Sequence, residues 1–484
     1  MEFISLVKKK YYINACLILQ AGIFIYNKKR IMKKIVALQK VFFNNGNTKP
    51  ITFRKEQLKK LKSLLQKNEK ALDNAIYNDF KKSTFDNCTN ELSLLYHDID
   101  EALNNLSYWS KPKKVATNLV NFPSKSYIIP EPLGVSLIIG AWNYPYQLSF
   151  APAIAAIAAG NTVILKPSEL PIQTSNLMAK LVNENFDPAF FKVIEGGVPE
   201  TTELLDQAFD KIFFTGSVPV GKIVYQAAAR NLIPVTLELG GKSPAIIAPD
   251  CDLKMCAKRL IWAKYLNAGQ TCIAPDYIYV HESIKDGFLT ACKKEIEKAK
   301  YSFENGNYVQ IINTKNTSRL VELIDSEKIY YGGTYNIENR YIEPTILQNV
   351  NLSDKVMQEE IFGPILPVMT YKNLDDIIPI IKSKPKPLSC YVFTNDKKIK
   401  NKILTQISFG NGAINEAIMQ ISNSNLPFGG VGASGIGSYH GESGFKTFSH
   451  YKSILQKSNW FESSLKYAPH TPLKLKIIKF LMKL

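Results

Sequence analysis

The chain has 484 residues, of which 45% are hydrophobic and 21% charged, a globular balance that excludes a disordered protein. It is too long for one simple core, so two or three domains are expected. A formal net charge of +18 favours anionic partners in general and does not choose among nucleic acid, anionic lipid and a phosphorylated cofactor.

The first 31 residues differ in character from the rest of the chain. Lys8 to Lys10 precede an apolar run from Ala15 to Tyr26, and Lys28, Lys29 and Arg30 close it. The run falls short of the roughly 20 residues that a membrane span needs. Basic residues come after it where a signal peptide carries small ones. Met32 opens Met-Lys-Lys-Ile-Val-Ala-Leu, an amphipathic helix start. Three readings therefore stand, in falling order: residues 1–31 precede the true translation start, they form a short interfacial anchor, or they direct secretion.

From Arg54 to about Ser110 the pattern is helical, with Leu58, Leu61, Leu64 and Leu65 at helical spacing between lysines. The stretch from Ile128 to Ile139 is extended, and Pro130 and Pro132 predict an irregular entry into a strand at Val135–Ile139. Ala151 to Ala159 is small and apolar, suiting a tightly packed helix that Gly160-Asn161 ends. Thr162–Leu165 is then a buried strand. Helix 172–184, a strand from Lys192, helix 201–207, strand Lys211–Phe214 and helix 220–231 come next. Strand alternating with helix implies a parallel sheet with crossover helices, a nucleotide-binding type of unit.

Several stretches carry residue types suited to chemistry. Gly140-Ala-Trp-Asn-Tyr-Pro-Tyr146 follows a strand; Asn143 can present its amide as an oxyanion donor, or serve only as turn chemistry. Lys166-Pro-Ser-Glu169 follows another strand, where ligands of parallel sheets bind. Lys166 and Glu169 can hold ribose hydroxyls, or be a solvated turn. In Phe214-Thr-Gly-Ser-Val-Pro-Val-Gly221, Gly216 and Ser217 would leave N–H groups free at a helix start, an anion site, and Gly221 would let helix and sheet approach. A plain helix cap is the alternative. Finally, Glu238 stands just before Gly240 and Gly241, and Cys272 follows Asn267-Ala-Gly-Gln-Thr, where a thiol can be approached from outside. A free cysteine is more often a buried filler. The other six cysteines belong in that class, since their spacing has no CxxC pair and fits neither a disulfide framework nor a zinc cluster. Five histidines without HExxH give metal catalysis no support. Gly430-Val-Gly-Ala-Ser-Gly435 matches the dinucleotide fingerprint GxGxxG, but Leu426-Pro-Phe-Gly429 precedes it and no acidic residue comes after it at the right distance; it reads as a flexible glycine loop.

Taken in this order, and with Gln358-Glu-Glu-Ile-Phe-Gly-Pro364 and the segment Leu426–Gly441, these stretches resemble the aldehyde dehydrogenase superfamily over residues 33–468. The segment Pro427–Gly441 and Asp276 beside Pro275 resemble the class 3, fatty or aromatic aldehyde, branch; Ala141 and Ala433 depart from residues usual there. The resemblance implies an α/β fold: a parallel-sheet, Rossmann-like cofactor domain, an α/β catalytic domain and a small β oligomerisation arm. The corresponding boundaries are an extension at 1–31, a cofactor domain at 32–237 with part of the arm near 111–130, a catalytic domain at 238–415, and a return at 416–484. It implies oxidation of an aldehyde, medium- or long-chain aliphatic or aromatic, to the acid with NAD or NADP. Cys272 would be the nucleophile, Asn143 the oxyanion donor and Glu238 the base for water. Lys166, Glu169, Gly216, Ser217, Gly221, Glu360 and Phe362 would contact the cofactor. NAD is slightly preferred, because Glu169 repels a 2′-phosphate while Lys166 tolerates one. Glu238 argues against an acylating or reductive relative, and the joint presence of Cys272, Asn143 and Glu238 against a non-catalytic NAD-binding protein.

The end of the chain, Leu473 to Leu484, is basic and amphipathic, with Leu473, Ile477, Phe480, Leu481 and Leu484 on one helical face. It suits docking on a partner subunit of a homodimer, peripheral contact with an anionic membrane, or a cap on the active-site mouth. The expected setting is cytoplasmic. Nucleic-acid binding has only the net charge behind it, and no such partner is expected.

Overall fold

A computed structural model describes residues 31–483. The expectations for the apolar run at 15–26 and for Leu484 lie outside the described residues.

A helix over 31–44 opens the described chain. Its Met32 and Val36 are buried among Val135, Leu137 and Leu237 of the first sheet, and Gln39 Nε2 donates to the Val163 carbonyl at 2.9 Å. The helical stretch after it is three longer helices, Ile51–Lys67, Glu69–Phe80 and Ser93–Trp109, with the short helix Thr84–Asn87 between the second and third. The leucine periodicity is real, but the chain breaks at Asn68 and at Lys81, which takes φ +60°. Glu91 is carried by a five-residue π-helical segment, Cys88–Leu92.

The first sheet has the order Gly435–Ile436, Val235–Glu238, Lys211–Thr215, Val135–Ile139, Thr162–Lys166, Phe191–Val193. Its strands from Val235–Glu238 onward pair in parallel. Three of those strands are buried at every position, as expected where helices cover both faces. Helix Gln147–Ala159 packs on the sheet through alanines and ends at Gly160, φ +95°. Asn161 then ties three segments together: its side chain accepts from Gly134 N at 2.8 Å and donates to the Ala156 and Phe448 carbonyls at 3.1 and 2.9 Å.

The second sheet has the order Ile329–Tyr331, Thr345–Leu347, Ile365–Tyr371, Tyr277–His281, Pro244–Ile247, Ser389–Phe393, Asn411–Ile414. It is parallel except at its first edge. A third, antiparallel sheet of three strands, Lys113–Val115, Ser124–Pro132 and Ser449–Lys457, stands apart as an arm.

Two expectations need correction. Pro130 and Pro132 do not make an irregular entry; they belong to the regular strand Ser124–Pro132. Lys113–Val115 pairs only as far as Ile128, so beyond it one edge of the strand has no ladder and proline is tolerated. Nor is the glycine segment at 430–435 merely a flexible loop. Gly435 and Ile436 pair antiparallel with Glu238 and Leu237, completing the first sheet. Gly435 takes φ +155°, and a Cβ there would meet the Leu237 carbonyl oxygen, so glycine permits the backbone approach.

Candidate active site

The strands of the first sheet deliver their following turns to one crevice, as parallel sheets do at their carboxyl ends. Asn143 follows Val135–Ile139, Lys166 ends its own strand, Gly216 and Ser217 follow Lys211–Thr215, and Glu238 ends Val235–Glu238. Cys272 enters from the second sheet's side. Helix Leu253–Tyr265 is followed by Asn267, Ala268 and Gly269, all left-handed at φ +54°, +52° and +71°. Left-handed non-glycine residues are costly and persist only where surroundings enforce them. Here Asn267 Nδ2 donates to the Asn143 and Gln270 carbonyls at 3.0 and 3.1 Å, and the Gln270 amide bridges Asn267, Gln310 and Ile312. The result turns the chain back and leaves Cys272 partly exposed at the crevice.

The crevice is a cleft of about 540 Å³, within the range of a cofactor site. Asn143, Lys166, Glu169, Gly216, Ser217, Glu238, Cys272, Glu360 and Phe362 all line it. Gly221 does not. It lies beneath Leu239, whose Cδ2 would be 2.6 Å from a Cβ there, so its part is close helix–sheet packing. One detail differs from expectation at the helix start: the Gly216 N–H is not free but donates to the Glu238 carbonyl at 3.0 Å. Ser217 caps helix Val218–Ala229 without a side-chain hydrogen bond, so the first-turn N–H groups have no side-chain acceptor, which suits an anion.

Asn143 is buried and donates through Nδ2 to the Gln270 carbonyl at 3.0 Å; an amide nitrogen carries a second N–H. Lys166 Nζ lies 3.0 Å from Glu169 Oε2, with the lysine buried and the glutamate exposed. Both Glu238 carboxyl oxygens are buried without a partner, and burial pushes this carboxyl well above its ordinary value. Glu360 is pushed up to about 8 by burial and by Asp276. The Cys272 thiol is pushed up to about 12 by burial, Glu360 and Glu238. Burial thus favours the protonated forms of Glu238, Glu360 and the Cys272 thiol, and a cation entering the cleft would draw them toward their ionised forms.

Several residues to which the sequence assigned no part in the site hold it in shape around Phe362. Phe362, at φ +50°, meets Trp142 edge to face at 5.3 Å. Its loop is pinned by Asp276, which accepts from the Ile361 N–H at 2.8 Å and from Lys242 Nζ at 2.5 Å. Lys242 also donates to the Val356 and Glu359 carbonyls at 2.9 and 2.8 Å, and Arg319 to the Ile361 carbonyl at 2.7 Å. The Tyr144 hydroxyl meets Thr271 Oγ1 at 2.7 Å, one residue from the thiol.

The residues fit a dinucleotide. The uncapped helix start suits its pyrophosphate, and the Lys166–Glu169 pair its adenosine ribose. Glu360 is half-buried in the same cleft, with Gly240 beneath it: a Cβ on Gly240 would lie 2.6 Å from Glu360 Cδ. The comparisons agree. The model of the aldehyde dehydrogenase family matches residues 26–454. A 4,4'-diaponeurosporen-aldehyde dehydrogenase of Staphylococcus aureus is 47% identical over 448 residues, covering 92% of this chain and 97% of that protein. The aldehyde dehydrogenase family 3 member A2 of Pongo abelii is 45% identical over 91% of this chain and 92% of its own. The dimeric NADP-preferring aldehyde dehydrogenase of Mus musculus is 44% identical over 90% and 96%. A substrate-bound Staphylococcus aureus AldH structure superposes with a TM-score of 0.91 at 46% identity, covering 93% of this chain and 99% of that one. The chain belongs to the aldehyde dehydrogenase family, on its class 3 branch, and is an NAD(P)-dependent enzyme that oxidises an aldehyde to the carboxylic acid.

Proposed function

We propose that the oxidation runs through a covalent intermediate on Cys272. The Sγ thiolate bonds the aldehyde carbon, and Asn143 Nδ2 with the Cys272 backbone N–H hydrogen-bonds the resulting oxyanion. Lys166, Glu169, Ser217 and Glu360 would hold the dinucleotide, which when bound would supply the acceptor for the hydride that leaves this carbon. A thioester remains on Cys272. Glu238, ionised and turned toward the thiol, takes a proton from the attacking water, and the acid departs as the sulfur is released. The observation that carries this reading is that thiol, amide, carboxyl and the uncapped helix start line one cleft. Cys272→Ala should abolish NAD(P)H formation from dodecanal while the protein still binds the dinucleotide; dehydrogenase turnover in that variant overturns the assignment.

The finer features rest on the same residues. The preferred substrates are medium- or long-chain aliphatic or aromatic aldehydes, a reading supported by class 3 membership. We assign residues 32–237 to a cofactor domain and 238–415 to a catalytic domain, with 416–484 returning to the first. NAD is favoured over NADP by the exposed Glu169 carboxylate, although a relative is named NADP-preferring. A homodimer is supported by the arm, which exposes Leu119, Val120 and Phe122, and by a relative's name. Among the described residues no helix is long and apolar enough to cross a membrane. Helix Pro472–Leu481 buries none of its residues, and its apolar side chains beside Lys476, Lys479 and Lys483 suit a cytoplasmic enzyme that touches an anionic membrane surface. Co-sedimentation with phosphatidylglycerol vesicles, with and without residues 470–484, tests this; no lipid-dependent binding removes it.

A further inference from the structure

A buried ion pair stands outside the catalytic residues. Lys82 Nζ lies 2.7 Å from Glu91 Oε1, with side-chain exposures of 1% and 0%. Taking two charges out of water costs several kcal/mol per ion in order of magnitude, and such a pair is often no more stabilising than apolar residues of similar volume. Stability is therefore a weak reason for it, and its contacts suggest another.

Lys82 Nζ also lies 5.1 Å from the centre of the Phe80 ring, but the remaining hydrogen bonds of the pair all go to the turn that bears Asn143. Lys82 Nζ donates to the Asn143 carbonyl at 3.2 Å and lies 4.2 Å from the centre of the Tyr144 ring. Glu91 Oε2 accepts from the Tyr146 and Gln147 N–H groups at 2.8 and 3.2 Å. The backbone from 143 to 147 is thus gripped at one carbonyl and two N–H groups by side chains from the N-terminal helical layer. The local structure is bent to bring them there: Lys82 follows the left-handed Lys81, and Glu91 rides the π-helical turn, a form found mostly as single turns near functional sites. The gripped turn reaches Cys272 twice, through Asn143 Nδ2 to the Gln270 carbonyl and through Tyr144 Oη to Thr271 Oγ1.

We propose that Lys82 and Glu91 are positioning residues that fix the Asn143 amide relative to the Cys272 sulfur. The proposal rests on the oxyanion role given to Asn143 above. It also accounts for why charge is used: an ammonium and a carboxylate can hold a carbonyl and two N–H groups more tightly than neutral partners. An oxyanion donor displaced by about 1 Å loses much of its effect, and losing such a donor altogether costs roughly 10²–10³ in rate.

The test is a kinetic cycle. Glu91→Gln leaves Lys82 without its anion, so Lys82→Met/Glu91→Gln, which removes both charges, is the companion variant for a fold check by circular dichroism. Both should lower kcat for dodecanal about tenfold to a hundredfold, with KM for the aldehyde and Kd for the dinucleotide within about twofold of wild type. Placed on Asn143→Ala, the same changes should add no further loss, because their route is already cut. Unchanged kcat in the folded double variant, or losses that multiply on Asn143→Ala, overturn the positioning role. If Asn143→Ala alone turns over like wild type, the oxyanion reading fails and the positioning role fails with it; an inactive Asn143→Ala beside an active Lys82→Met/Glu91→Gln sinks the positioning role alone.

Discussion

Replacing Asp276 by asparagine should loosen the loop that carries Glu360 and Phe362. Its two oxygens take the Ile361 N–H at 2.8 Å and the Lys242 ammonium at 2.5 Å, with side-chain exposures of 5% for Asp276 and 17% for Lys242. Removing one partner of a fully buried pair costs about 3–5 kcal/mol. Lys242 reaches water and keeps the Val356 and Glu359 carbonyls, which lowers the figure to about 2–3 kcal/mol. At about 2 °C per kcal/mol, the low end suited to a long chain, the melting temperature falls by about 4–6 °C. Lys242→Met/Asp276→Asn should lose less, because no unpaired charge remains. Differential scanning fluorimetry reads the first effect. A fluorescence titration with the dinucleotide reads the second, a weaker Kd, because Glu360 loses its anchor. A melting temperature within about 1 °C of wild type together with an unchanged Kd refutes the reasoning.

Three further outcomes can be checked. Glu238→Gln should release one equivalent of NAD(P)H in a burst and then accumulate acyl-enzyme on Cys272, visible by intact mass; steady turnover at the wild-type rate removes Glu238 as the base. Because the Cys272 thiol is pushed up to about 12, its thiolate fraction in the ligand-free protein should rise about tenfold per pH unit across pH 7 to 10 without levelling. Alkylation by iodoacetamide, followed by peptide mass, should show that slope, whereas glutathione levels off above about 8.5; a plateau for Cys272 below pH 10 contradicts it. Glu169→Gln should raise kcat/KM with NADP relative to NAD about tenfold by removing like-charge repulsion, and an unmoved ratio counts against Glu169 as the discriminator.

The parallel strands were the most legible part of the fold, because strands covered on both faces are unbroken apolar runs, as in Thr162–Lys166 and Lys211–Thr215. Asn143, Lys166, Glu169, Gly216, Ser217 and Glu238 were legible for a related reason, since each ends or follows such a strand; Cys272, Glu360 and Phe362 precede strands instead and carry no such mark. Tertiary geometry hid the rest. Nothing in the spacing of Lys82 and Glu91 shows that a left-handed residue and a π turn point both at Asn143. Pro130 and Pro132 could not reveal that their strand loses one neighbour after Ile128. The Gly216 N–H looked free because the strand that claims it, Val235–Glu238, lies beyond an intervening helix.

The late return of the chain bears on how it is made. The strand ending in Glu238 acquires its outer neighbour only from Gly435 and Ile436, and Ser124–Pro132 is laced along its full length by Ser449–Lys457. During synthesis these strands therefore wait, with raw edges, until residues 435–457 have left the ribosome. A premature stop shortly before 435 removes a clasp rather than an ornament, and such a product should aggregate instead of surviving as a shortened enzyme.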